Sequence, residues 1–170
     1  MKKGWLVTGL AVLLVLALAG SAFAAKGQKG QGVEVRARVA GQILLSIESG
    51  DEISFNVDPL NNPEDTAETV LSVQTNAPRY SIIAEIGNFM IGDYDLIKNG
   101  KFFIRSKAPG SGQGIDDWTV PKPGQMTIVK NEDGLTMGEE INVEYKLAVD
   151  FSVPAGEGKL EIAFTAIAAL

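Results

Sequence analysis

The chain has 170 residues, 15 basic and 21 acidic, with no histidine and no cysteine. The missing cysteine excludes disulfides and a lipidated cysteine, and the missing histidine removes the usual general base; together they exclude ordinary zinc and copper sites and weigh against catalysis. The acidic balance makes nucleic acid and anionic membrane surfaces poor partners, because neither supplies the positive charge such a chain would need.

Taken in order, Lys2 and Lys3 precede an apolar run from Trp5 to Gly20, and Ser21-Ala22-Phe23-Ala24 supplies the small-x-small pattern of a signal-peptidase site. The run is about 16 residues, short of the roughly 20 that span a bilayer. Residues 1–24 therefore read as a secretory signal peptide cut between Ala24 and Ala25, which predicts a secreted, periplasmic or cell-surface protein with no membrane attachment afterwards. Cleavage leaves 146 residues with 13 basic against 21 acidic side chains, a charge of −8. That length suits one domain with its own core. Residues 25–32, rich in Gly, Lys and Gln, read as a flexible leader.

From residue 33 to 170 the apolar pattern has a period of two, the spacing of a strand with one buried face. Val33, Val35, Ala37 and Val39 alternate with Glu34, Arg36 and Arg38; Gln42–Glu48 and Glu52–Val57 read as the next two strands. A polar loop, Asp58–Asp65, precedes Thr69–Thr75 and Arg79–Ile86, which join around Asn76-Ala77-Pro78. Residues 87–125 are irregular apart from a short strand at Lys101–Arg105. Gln125–Lys130 reads as a strand that turns back at Asn131-Glu132-Asp133-Gly134, where Asp-Gly suits a hairpin. Ile141, Val143, Tyr145, Leu147, Val149 and Phe151 share one face, and Leu160, Ile162, Phe164 and Ala166 mark the closing strand. No helical stripe interrupts this pattern. The expected fold is all-β, a single antiparallel sandwich of Ig-like or jelly-roll-like type with about eight or nine strands. A small β-barrel is the alternative; an outer-membrane barrel is disfavoured by the outward Glu, Arg, Lys and Asp.

Four places carry candidate chemistry. Asp58, Asn61, Asn62, Glu64 and Asp65 place enough oxygens in one loop to suggest calcium, though a solvated turn uses the same residues. Trp118 beside Asp116 and Asp117, with Tyr94, suggests a sugar stacked on the indole; the plainer alternative is a Trp capping the core. Asp93, Asp95, Asp116 and Asp117 are the acids from which a glycoside-hydrolysing pair would have to come. Gly110-Ser111-Gly112-Gln113-Gly114 lacks the Lys-Ser/Thr of a phosphate loop and reads as a flexible loop.

The stretch from Val35 to Ile47, Asp58-Pro59, Leu71-Ser72-Val73-Gln74-Thr75-Asn76-Ala77 with Tyr80, and Val153-Pro154-Ala155-Gly156 followed by Phe164-Thr165-Ala166 resemble bacterial secreted β-sandwich surface proteins. These include WxL-type cell-wall-binding domains and pilin- or adhesin-like subunits; Trp118-Thr119-Val120 stands near a Trp-x-Leu pattern. The resemblance implies an envelope or extracellular role with structural, adhesive or binding work and no catalysis; no cofactor is expected, calcium at the Asp58–Asp65 loop being the one alternative. The expected function is a secreted or surface subunit of a filament or surface layer, associating with itself or other surface proteins by strand addition from Val33–Val39. The alternative is a carbohydrate-binding module whose partners are glycans.

Overall fold

The structure, a computed structural model, describes residues 36–134 and 136–169. The expected signal peptide, the leader, and Val33 to Val35 of the first expected strand lie outside the described residues. Two units divide the chain, Met1–Arg38 and Val39–Leu170; of the first, Arg36–Arg38 are exposed and belong to no strand.

Alternation builds the second unit. It comprises β1 (Ile43–Ser49), β2 (Glu64–Thr75), β3 (Arg79–Ile86), β4 (Met90–Ile91), β5 (Tyr94–Asp95), β6 (Phe102–Lys107), β7 (Ile115–Thr119), β8 (Gly124–Asn131), β9 (Thr136–Ala148) and β10 (Ile162–Ala169). Thr69, Leu71, Val73 and Thr75 of β2 and Tyr80, Ile82, Ala84 and Ile86 of β3 are buried at every second position. The intervening positions, Val70, Ser72 and Gln74 in β2 and Ser81, Ile83 and Glu85 in β3, are half-buried or exposed, which leaves one outer face and one dry face per strand.

Two antiparallel sheets pair those dry faces. One runs β1-β2-β9-β6-β7, the other β10-β3-β8, and β4-β5 forms a separate two-stranded ribbon. Their inner residues join one apolar cluster, in which Phe102 meets Phe55 and Phe89 edge-on (centroids 6.3 and 5.4 Å) and stacks on Tyr145 at 6.1 Å. This is an all-β, sandwich-like fold, and the sheets do not close into a barrel.

Several local expectations give way. Asn131–Gly134 is no hairpin: β8 pairs with β3, while β9 pairs with β2 and β6, so these residues lead from one sheet to the other. Gly134 is not in the left-handed region; its N–H donates to Pro78 O at 2.8 Å, and a Cβ there would lie 2.5 Å from that oxygen. The glycine serves a close approach between the two inter-sheet crossings. Glu52–Val57 is not a strand either. Ile53, Phe55 and Val57 pack half-buried on the core, but Asp65 Oδ2 accepts the Asn56 N–H (3.1 Å) and Asn62 Nδ2 donates to Asn56 O (2.6 Å), replacing a ladder. The polar run Asp58–Asp65 ends sooner than expected, because Glu64 and Asp65 already pair with Ala148 and Leu147. Phe151, expected inside, is 81% exposed: the chain turns after β9, with Val153 N–H donating to Asp150 O. Arg36–Val39 form no strand, and Val39 is 80% exposed.

Ser106 ties the layers together. Its buried Oγ donates to Ile128 O of β8 at 2.5 Å and accepts the Ile115 N–H of β7 at 3.0 Å. Ser106→Ala strands both partners and is expected to cost about 1–3 kcal/mol in equilibrium denaturation. Tyr145 donates from within the core to Thr69 Oγ1 at 3.2 Å, and burial pushes its pKa up from 10.0 to about 12. The folded state thus favours the neutral phenol; that contribution is complete below pH 10 and is lost as pH rises toward 12. Tyr145→Phe is expected to flatten the fall in stability across this window, measured by denaturation at a series of pH values.

Candidate functional site

Trp118 stands on β7, a strand where the sequence suggested a loop, and it is outside the core cluster. Phe102, Ile104 and Ser106 of β6 point inward, so Phe103 and Arg105 point outward, and Arg105 reaches the indole. The Arg105 guanidinium lies 4.4 Å from the Trp118 ring centroid and Lys146 Nζ lies 5.1 Å from it, with the same amine 5.0 Å from the Phe103 ring. Glu144, opposite Arg105 in the ladder, accepts its Nη2 at 2.5 Å. The indole is therefore half-buried in a clasp on the outer face of the large sheet, outside the core cluster. Asp116 and Asp117 are exposed beside it. Trp118→Ala is expected to destabilise by about 1–2 kcal/mol, the loss of half-buried ring packing and a cation–π contact, read from urea midpoints.

Tyr94 is placed elsewhere. It lines an open cleft of about 390 Å³ with Ile91, Gly92, Asp93, Pro154 and Ala155, which includes none of Asp116, Asp117 and Trp118. Its hydroxyl bonds Ser152 Oγ at 3.2 Å; Ser152 Oγ in turn donates to Asp150 Oδ1 at 2.5 Å, and Lys101 Nζ donates to Asp150 Oδ2 at 2.6 Å. The Lys101 and Ser152 bonds hold the Asp150 carboxyl well below the usual carboxylate range. The chain Lys101–Asp150–Ser152–Tyr94 fixes the turn after β9.

Three of the remaining acids, Asp58, Asp65 and Asp95, serve the backbone. Asp95 Oδ1 accepts the N–H groups of Ile97 and Lys98 at 3.0 and 3.1 Å, and these bonds, Lys98 first, hold its carboxyl below its ordinary value. Asp93 and Asp95 sit on the β4–β5 ribbon while Asp116 and Asp117 sit on β7 of the large sheet, so the sequence-suggested pair is not assembled on one element. In the suggested calcium loop, Asp58 Oδ1 accepts from Leu60 and Asn61 N–H at 2.7 and 2.9 Å, and Asp58 and Asn62 exchange backbone bonds. Asp65 accepts from Asn56 and Thr66, and Glu64 lies 3.6 Å from Lys146. Asp58, Asn61 and Asn62 close a turn, Glu64 and Asp65 open β2, and among the described residues no three acids converge as metal ligands.

A different feature stands out: the free edge of β10. Edge strands of soluble sheets are commonly guarded by charge, proline or a bulge. Three of the four edges of the two large sheets follow that rule. β1 has Glu48 and a register shift between Ile47 and Ser49; β7 has Asp116 and Asp117 and a shift opposite Ile104–Ser106; β8 has Lys130, a shift opposite Ile82–Ile83, and a bridge from Lys130 to Gln113. β10, with the sequence IAFTAIAA, has no charge and no proline, and it pairs with β3 without a shift from Ile162 to Ala169. Its other edge makes no backbone bond among the described residues. Inward Ile162, Phe164 and Ala166 pack on the core yet stay half-buried, and outward Ile167 is 48% exposed. The sequence carried this signal in the uncharged run after Glu161.

The chain matches no protein-family model and no curated protein.

Proposed function

We propose that this is an exported, non-enzymatic structural or adhesive subunit of the cell surface or its surroundings, which associates with further subunits by adding a strand to a sheet edge. Export rests on the pattern of residues 1–24, a charged start, an apolar run and Ala22-x-Ala24. The observation that carries the structural role is β10, an uncharged, regular edge with half-covered apolar residues on its inner side. Such an edge offers unpaired N–H and C=O groups to a second chain, and pairing also buries the adjacent side chains. No cluster of reactive side chains in the described residues competes with this reading: the carboxylates that the sequence offered for chemistry either bind their own turns or lie exposed on separate elements.

The test is analytical ultracentrifugation of the exported protein across a concentration series. Native protein is expected to form higher species. A Thr165→Lys/Ile167→Lys variant, whose new charges fall on exposed positions of β10, is expected to remain monomeric with its melting temperature nearly unchanged. Met137→Lys, at a site 98% exposed on β9, is the control and is expected to associate like the native chain. A native protein that stays monomeric throughout, or a β10 variant that associates undiminished, contradicts the proposal.

A further inference from the structure

Building on that reading, we infer that the strand received at β10 is Val33–Val39 of a second copy of this chain. Three observations support this pairing.

The first is pattern. Val33, Val35, Ala37 and Val39 form one apolar face over seven residues, against an eight-residue β10. Side chains of adjacent strands align on one face, so these four would lie beside inward Ile162, Phe164 and Ala166, the residues that the core leaves half-covered. Glu34, Arg36 and Arg38 would then face water with Ala163, Thr165 and Ile167. The described members, Arg36–Val39, are in no strand, and Val39 is exposed.

The second is the anchorage of the following residues. Asn76 Nδ2 donates to Ala40 O at 2.9 Å, Asn76 Oδ1 accepts the Gln42 N–H at 2.6 Å, and Asn76 N–H donates to Gln42 O. Thr75 Oγ1 donates to the same Gln42 oxygen. Residues 40–42 are thus committed to the end of β2. They are the residues that would have to form the tight turn if Val33–Val39 folded back as a hairpin on β1 of its own chain, and the commitment disfavours that hairpin.

The third is charge. From Ala25 to Arg38 four basic residues stand against one acid, a charge of +3, whereas residues 39–170 carry nine basic and twenty acidic side chains, a charge of −11. A basic segment and an acidic body attract each other between copies, which speeds encounter and makes it salt-sensitive. The segment therefore matches β10 in length and face, and its charge is opposite to that of the body that carries β10.

The absence of cysteine makes introduced thiols unambiguous reporters. Arg36→Cys protein, isotopically labelled, is mixed with unlabelled Ala163→Cys, Thr165→Cys or Ile167→Cys protein, allowed to associate and oxidised. Disulfide-linked labelled–unlabelled dimers are expected with one or more β10 positions, and at background level with Ser46→Cys on β1. A companion variant, Val35→Asp/Val39→Asp, is expected to lose association while its melting temperature holds, since the described Val39 is not in the core. Preferential linkage to Ser46→Cys overturns the assignment to β10. Linkage confined to single molecules of a dilute Arg36→Cys/Thr165→Cys double variant overturns exchange between copies. If the native chain associates but no β10 link forms, this inference fails and the subunit reading stands; if the native chain does not associate at all, both fail.

Discussion

Five strands offer an apolar face, and three hydrogen-bonded strands lie opposite to cover it. That difference in width governs the rest of the molecule. With no disulfide and no described metal cluster to assist, stability rests on excluding water from this one layer. The chain fills part of the deficit with pieces that are not ladder strands: Ile53, Phe55 and Val57 from the extended connection, and Phe89, Leu96 and Ile97 around the β4–β5 ribbon. Phe102 shows how these pieces fit, ringed by aromatics from a connection, a ribbon flank and β9. The deficit remains at β10, whose inward residues reach the core but are never fully buried.

Burying a Val, Ile or Phe side chain completely is worth roughly 1.5–3 kcal/mol, so each half-covered residue forgoes about 1 kcal/mol. Each ladder hydrogen bond adds about 0.5–1.5 kcal/mol net. Covering several such residues and forming several such bonds amounts to about 10 kcal/mol, which is comparable with the 4–15 kcal/mol lost in association. An added strand of this kind thus gives modest affinity per contact and gains strength by repetition along an assembly. If each subunit both gives and receives a strand, the contact is head-to-tail, the arrangement that builds open filaments when it does not close into a ring.

How much of this was legible in the sequence depends on what each residue's neighbours decide. Where strand faces were strictly alternating and deeply buried, as in Tyr80 to Ile86 and Ile141 to Leu147, period alone located both the strand and its inner face. Sheet membership was not legible. Asn131–Gly134 has turn chemistry, but turn chemistry does not say whether the next strand returns to the same sheet; that was decided by the Gly134–Pro78 contact, between residues far apart in the chain. Ile53, Phe55 and Val57 have a strand's pattern, and only the side chains of Asp65 and Asn62 show that their segment has no ladder. The candidate sites fared likewise. Trp118 looked available because its partners, Arg105 and Lys146, come from two other strands, and Asp58 looked like a ligand because its bonds to its own turn depend on backbone conformation. The edge at β10 was written in the uncharged run from Ile162 to Ala169, but a run becomes an edge only through the strand order of its sheet.

The most direct measurement is amide hydrogen exchange along β10, compared between dissociated and associated protein. In the dissociated form, the alternate N–H groups not bonded to β3 are expected to exchange quickly, since no strand among the described residues pairs with β10 on its other side. On association they are expected to slow together, residue by residue from Ile162 to Ala169, while the edge of β7 with its Asp116 and Asp117 stays unchanged. Equal protection of β10 in both forms, or slowing confined to another edge, would contradict strand addition at β10.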